Sequence, residues 1–136
     1  MIRRLISPRL ADMINAIENI RVVMRNVSLD QFETDWQKRW LVERGIQIVS
    51  EAIRHLPDDI RVRNANIPWR KVAGIGNVLR HDYERIAPDM LWKLVQDDLD
   101  ELEAVCRAEL LLANAEEQNE PFPGEPHHDP GKPSDA

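Results

Sequence analysis

The chain has 136 residues, 43% of them hydrophobic and 31% charged, material for one compact domain with no sign of a second. No apolar run approaches the ~20 residues of a bilayer span, and the single cysteine, Cys106, excludes an intrachain disulfide and a cysteine-based zinc site. The net charge of −6 argues against a nucleic-acid partner until its distribution is read: residues 113–136 hold six acids against Lys132, which leaves −1 on residues 1–112.

The opening Met-Ile-Arg-Arg-Leu-Ile-Ser-Pro has no signal-peptide core, so a cytoplasmic location is expected. Ser7 and Pro8 read as N-cap and first position of an amphipathic helix, whose stripe is Leu10, Met13, Ile14, Ile17, Ile20 and Met24. Ser28 to Phe32 adds a short helical turn. A second long helix is predicted from about Thr34 to Leu56, with Val42, Ile46, Val49, Ile53 and Leu56 on one face. Trp36 and Trp40 widen its apolar surface beyond what one neighbouring helix covers, which puts it at the centre or against a second subunit. Glu43, Arg44 and Glu51 lie beside that surface, either as a solvated flank or as a charge network orienting the helix that follows. Pro57-Asp58-Asp59 stops the helix, and a polar connection runs to Asn66.

From Pro68 a third helix carries Val72, Ile75 and Leu79 on its core face, and Asn77 and His81 at i and i+4 on another. Arg80, Asp82 and Tyr83 crowd the same end. The plain reading is a histidine favoured by the helix C-terminus; the alternative is a chemical site. Between Ile60 and Arg85 six basic residues, among them Arg70, Lys71 and Arg85, face only Asp82 and Glu84, so the basic stretch coincides with the polar cluster and suits a phosphate backbone. Gly74 and Gly76 follow no strand and make no nucleotide loop; they suit close helix approach, at up to ~1 kcal/mol per glycine relative to alanine. A loop runs from Tyr83 to Pro88. From Asp89 a last long helix carries Leu91, Val95, Leu99, Leu102 and Cys106, the cysteine as core, with Trp69 and Trp92 as apolar anchors. After Leu112 the periodicity fails, and five of the nine prolines fall between Pro121 and Pro133. Residues 1–112 are therefore expected as an all-α up-and-down bundle of four to five helices, and 113–136 as a disordered acidic, proline-rich tail whose His127-His128-Asp129 has no scaffold for a metal.

The segments Ile67-Pro68-Trp69-Arg70-Lys71, Gly76-Asn77-Val78-Leu79-Arg80-His81-Asp82-Tyr83, Trp92 with its acidic helix, and Val42 to Ala52 resemble the HepT-like branch of the HEPN superfamily, over about residues 7 to 110. Those are small all-helical ribonuclease toxins. Asn77, His81 and Tyr83 fall on the family signature, while its arginine, five residues before the histidine, is replaced by Gly76. The resemblance implies a homodimer that cleaves RNA without metal through attack of the ribose 2′-hydroxyl, with His81 as general acid or base and Asn77 orienting it or touching the phosphate. Arg80 is the nearest substitute for the missing arginine; Arg70, eleven residues before His81, lies ~16 Å away along the axis and reaches the same phosphate only across a dimer. The resemblance also implies a minimal nucleotidyltransferase antitoxin that uses ATP and magnesium to transfer AMP onto Tyr83, the chain itself having no cofactor. Two other classes stay open: a catalytically impaired RNA- or nucleotide-binding partner of such a transferase, and a purely structural helical dimer.

Overall fold

In the computed structural model, which describes residues 6–119, seven α-helices follow one another: α1 (Ser7–Met24), α2 (Leu29–Thr34), α3 (Trp36–Arg54), α4 (Asp58–Arg63), α5 (Trp69–His81), α6 (Pro88–Asp97) and α7 (Leu99–Asn119). A 3-10 turn at Tyr83–Arg85 stands where a loop is expected, and there is no strand among the described residues. The all-α bundle of the sequence analysis is therefore the fold, with five longer helices and two of six residues each.

The apolar stripe of α1 is buried along its whole length, from Leu10 to Met24. It lies antiparallel to α3 on one side and to α7 on the other, while α5 packs antiparallel on the far side of α3. The row α5, α3, α1, α7 makes α3 the helix that joins α5 to the rest of the core. Val42, Ile46, Val49 and Ile53 of α3 are all buried.

Local chemistry sets most boundaries. Ser28 and Gln31 form a reciprocal capping box on α2, the Gln31 N–H donating to Ser28 Oγ at 3.2 Å and the Ser28 N–H to Gln31 Oε1 at 3.0 Å. Asp35 caps α3 by accepting from the Gln37 and Lys38 N–H groups, both at 3.1 Å. Ser7 is not the cap of α1 that Ser7-Pro8 suggests. Ile6 occupies that position, and the Ser7 hydroxyl donates to Glu117 Oε2 at the far end of α7.

Three other boundaries differ from expectation. The polar connection after Pro57 contains α4, a short helix held by one buried residue, Ile60. The last helix is broken at Asp98, whose carboxylate takes the Lys71 ammonium at 2.7 Å. The turn there lays α7 along α1, with Cys106 against Met13. Third, α7 runs past residue 112, with Ala113 buried and the Glu117 carboxylate accepting the Ile6 and Ser7 N–H groups at 2.8 and 3.1 Å. The rest of the expected tail, including His127-His128-Asp129, lies outside the described residues.

Candidate active site at the end of α5

Helix α5 is anchored at its start by Trp69, buried, whose indole N–H donates to the Asn64 carbonyl at 3.0 Å. Val72, Ile75 and Leu79 point into the core. Gly76 is the closest approach to α3: a Cβ there would overlap the Cβ and Oγ of Ser50 and come within 3.5 Å of the Ile46 carbonyl. Ser50 Oγ donates to the Ala73 carbonyl at 3.0 Å, tying the two helices at the same crossing. Gly74, by contrast, has open space around it. The expectation of close approach thus holds at one glycine of the two. The space in which an arginine at position 76 would begin is filled by α3.

One turn beyond Gly76, on the same face, Arg80 emerges at the edge of that contact, with Nη2 3.2 Å from Glu51 Oε2. Glu51 is the hub of the local charges. It also pairs with His55 Nε2 at 3.2 Å and with Arg54 Nη1 at 3.9 Å. The hydrogen bond from His55, then the charges of Arg80, His55 and Arg54, outweigh desolvation and hold its carboxyl below the ordinary carboxylate value. Arg54 reaches across to Asn77, Nη2 donating to Oδ1 at 3.0 Å. Asn77 is therefore oriented by α3, and a charge chain Asn77, Arg54, Glu51, Arg80 brackets the last turn of α5. His81 is exposed as the last residue of that turn, and neither of its ring nitrogens has a partner among the described residues.

A cleft of about 430 Å³ opens between α1, α3 and α5 beside this chain, lined by Arg9, Asp12, Arg44, Gln47, Glu51 and Arg80. Arg9 and Arg44 have no carboxylate partner among the described residues. Their two guanidinium groups share the cleft with Arg80, itself paired with Glu51, and with the carboxylate of Asp12. The basic residues singled out in the sequence are placed differently. Arg70 and Lys71 stand on the first turn of α5, at the other end from His81, with Lys71 committed to Asp98. Arg85 lies 3.8 Å from Asp82. Arg9 and Arg54 escape sequence reasoning because Arg9 reaches the cleft from α1 and Arg54 meets Asn77 of α5, placements set by how the helices cross. Tyr83 opens the 3-10 turn two residues after His81. Cys106 is buried, and desolvation pushes its thiol up to about 12, which suits a core residue and not a nucleophile.

Residues 13–109 match the family described as Ribonuclease HepT-like. The chain belongs to the HepT-like ribonuclease family. A protein of Thermococcus cleftensis named Probable ribonuclease HepT is 32% identical over 93 residues, 68% of this chain and 84% of the relative. A candidate RNase of Methanocaldococcus jannaschii is 28% identical over 99 residues, 73% of this chain and 91% of the relative. Another, from Caldanaerobacter subterraneus, is 25% identical over 96 residues, 71% and 86% of the two chains. No solved structure matches the chain. The HepT-like match runs from the middle of α1 to the middle of α7 and so contains both walls of the α5 crossing. No described helix of this HepT-like chain is long and apolar enough to cross a membrane, and no group of His, Cys, Asp and Glu among the described residues is placed to hold a metal ion.

Proposed function

We propose that this HepT-like chain is a metal-independent endoribonuclease, the toxin of a pair with a minimal nucleotidyltransferase, acting as a homodimer with the two His81 ends facing a shared cleft. The observation that carries the reading is the end of α5, where exposed His81 follows Arg80, held by Glu51 at the wall of a cleft that also holds Arg9 and Arg44, neither with a carboxylate partner among the described residues. His81 takes the proton of the ribose 2′-hydroxyl, or returns one to the leaving 5′-oxygen; a ring without a partner among the described residues is available for either. Arg80 supplies the cation that this chain lacks at position 76, and Asn77, oriented by Arg54, positions the imidazole or the phosphate. Transfer of AMP from ATP, with magnesium, onto the Tyr83 phenol by the partner forms a phosphodiester as the α–β anhydride bond breaks and pyrophosphate leaves; it adds a bulky anion two residues beyond His81 and repels RNA.

A non-cleaving, RNA-binding relative is the competing reading, and Gly76 packed against Ser50 is the observation in its favour. The deciding experiment incubates the purified chain with RNA in EDTA beside His81→Ala and Arg80→Ala. Cleavage by the native chain and its loss by at least 100-fold in His81→Ala is expected, a general acid or base contributing ~10²–10⁴-fold. Equal cleavage by native and His81→Ala proteins overturns the mechanism. RNA binding by the native chain without cleavage assigns it to the non-cleaving class.

A further inference from the structure

The outward face of α3 carries Trp36, Trp40, Arg44, Gln47 and Glu51 in one stripe, opposite the buried Val42, Ile46, Val49 and Ile53. Trp36 is 59% exposed and Trp40 64%. Their rings meet edge to face, centroids 4.9 Å apart at 70°, which fixes both side chains while leaving aromatic surface open to solvent. Beside Trp36 lies a groove of about 600 Å³, also lined by Asn26, Gln31, Thr34, Asp35 and Lys38. In that groove Lys38 is paired with Asp35, the Thr34 hydroxyl donates to the Asp30 carbonyl and Gln31 caps Ser28, so what it offers a nucleobase beside Trp36 is space, not free hydrogen-bonding groups. On the other side the stripe continues one turn to Arg44, without a carboxylate partner among the described residues, and then into the cleft with Glu51 and Arg80. From Trp40 to Glu51 is eleven residues, or ~16 Å along the axis, the reach of a few nucleotides.

We propose that the Trp36–Trp40 pair is a nucleobase-stacking subsite for single-stranded RNA, with Arg44 as the phosphate contact between it and the Arg80 cleft. The proposal deepens the ribonuclease reading and rests on it for the choice of substrate. Single-stranded sites combine cations that follow the backbone with aromatic rings on which bases stack, and this stripe supplies both in order. A second copy of the chain fits the face less well. Beyond the two rings the stripe is polar, Arg44, Gln47 and Glu51, where the core of a stable interface is apolar and depleted of charge. A two-fold contact centred on this stripe would also bring each Arg44 toward its own copy.

The test measures binding of a short 2′-O-methyl oligoribonucleotide, which cannot be cleaved, and of an abasic strand of equal charge. The full chain is compared with Trp36→Leu, Trp40→Leu and Trp40→Phe, each also run by sedimentation velocity. Expected is a loss of about tenfold for Trp40→Leu on the base-bearing strand, within the range for removal of one aromatic platform. Trp40→Phe keeps most of the affinity, and binding of the abasic strand is unchanged. Unaltered binding by both leucine variants overturns the proposal. An equal loss on both strands, together with a shift to a smaller species, also overturns it and gives the face to a second copy. Because the strand is uncleavable, the stacking subsite can stand where catalysis fails: base-dependent binding by a chain that never cuts sinks the ribonuclease reading alone.

Discussion

At Gly76 and Gly74 the same residue type meets opposite surroundings, and the two glycines predict opposite signs. A methyl group at position 76 overlaps Ser50, so Gly76→Ala should lower stability by about 1–3 kcal/mol, the usual cost of overpacking. At position 74 the added methyl meets nothing, and Gly74→Ala should raise stability by up to ~1 kcal/mol through helix propensity. Chemical denaturation of the two variants checks both signs, and Ser50→Gly combined with Gly76→Ala should recover part of the loss. Sequence reasoning could see that glycines inside a helix favour close approach, but not which of the two faces α3. The Asn77 and His81 relation was legible because it is local to one helix. The Arg54 bond to Asn77 and the Arg80 bond to Glu51 were not, since each depends on where two helices cross.

Helix α4 shows what periodicity cannot reveal and what tertiary chemistry supplies. Six residues with one buried side chain give no pattern, yet Arg63 clamps the element to α7 through two parallel bonds to Glu109, Nε to Oε1 at 2.7 Å and Nη2 to Oε2 at 2.6 Å. Asn64 Nδ2 adds a third at 2.9 Å, and Glu109 is only 5% exposed. The hydrogen bond from Arg63 outweighs desolvation and, with Asn64, lowers the Glu109 carboxyl below its ordinary 4.5. A lowered folded value means that this contribution to stability is complete above the ordinary value and is lost as pH falls through the folded one. Below about pH 4.5 the native chain should therefore lose stability more steeply than Glu109→Gln, as thermal melts across the acid range would read. Arg63→Met, which strands the carboxylate, should cost about 1–3 kcal/mol at neutral pH. The break between α6 and α7 was equally invisible. Asp98 is neither glycine nor proline, and the apolar spacing runs straight across it: Leu91, Val95, Leu99 and Leu102 are all buried, so the stripe carries no stop signal.

For the molecule as a whole, the long apolar stripes were enough to identify an all-α bundle, because each can be buried only against another helix. The end of the domain was harder to read. Past Leu112 the apolar pattern thins, but Ala113 still packs and Glu117 still binds Ile6 and Ser7, contacts about 110 positions apart that no local window contains. A chain ended after residue 112 should therefore melt several degrees below one ended after residue 119, since 1 kcal/mol is worth about 4–8 °C in a domain of this size. Equal melting temperatures would deny the Glu117 contacts any weight. The charge balance also makes sense only at this scale: an acidic chain still presents arginines from three helices to one cleft.

The Glu117 bonds hold the first turn of α1 to the last turns of α7, and these helices run antiparallel, with Glu18 and Arg107 paired midway and Arg21 on Asp100 at the far end. A pull applied to residues 6 and 119 would therefore act on the same end of the pair. Under load the two helices would peel apart row by row, starting at Glu117 and reaching Met13 and Cys106 next, instead of sliding past each other with all rows strained at once. The fold should therefore yield at low force along the line joining its described ends, whatever its thermal stability.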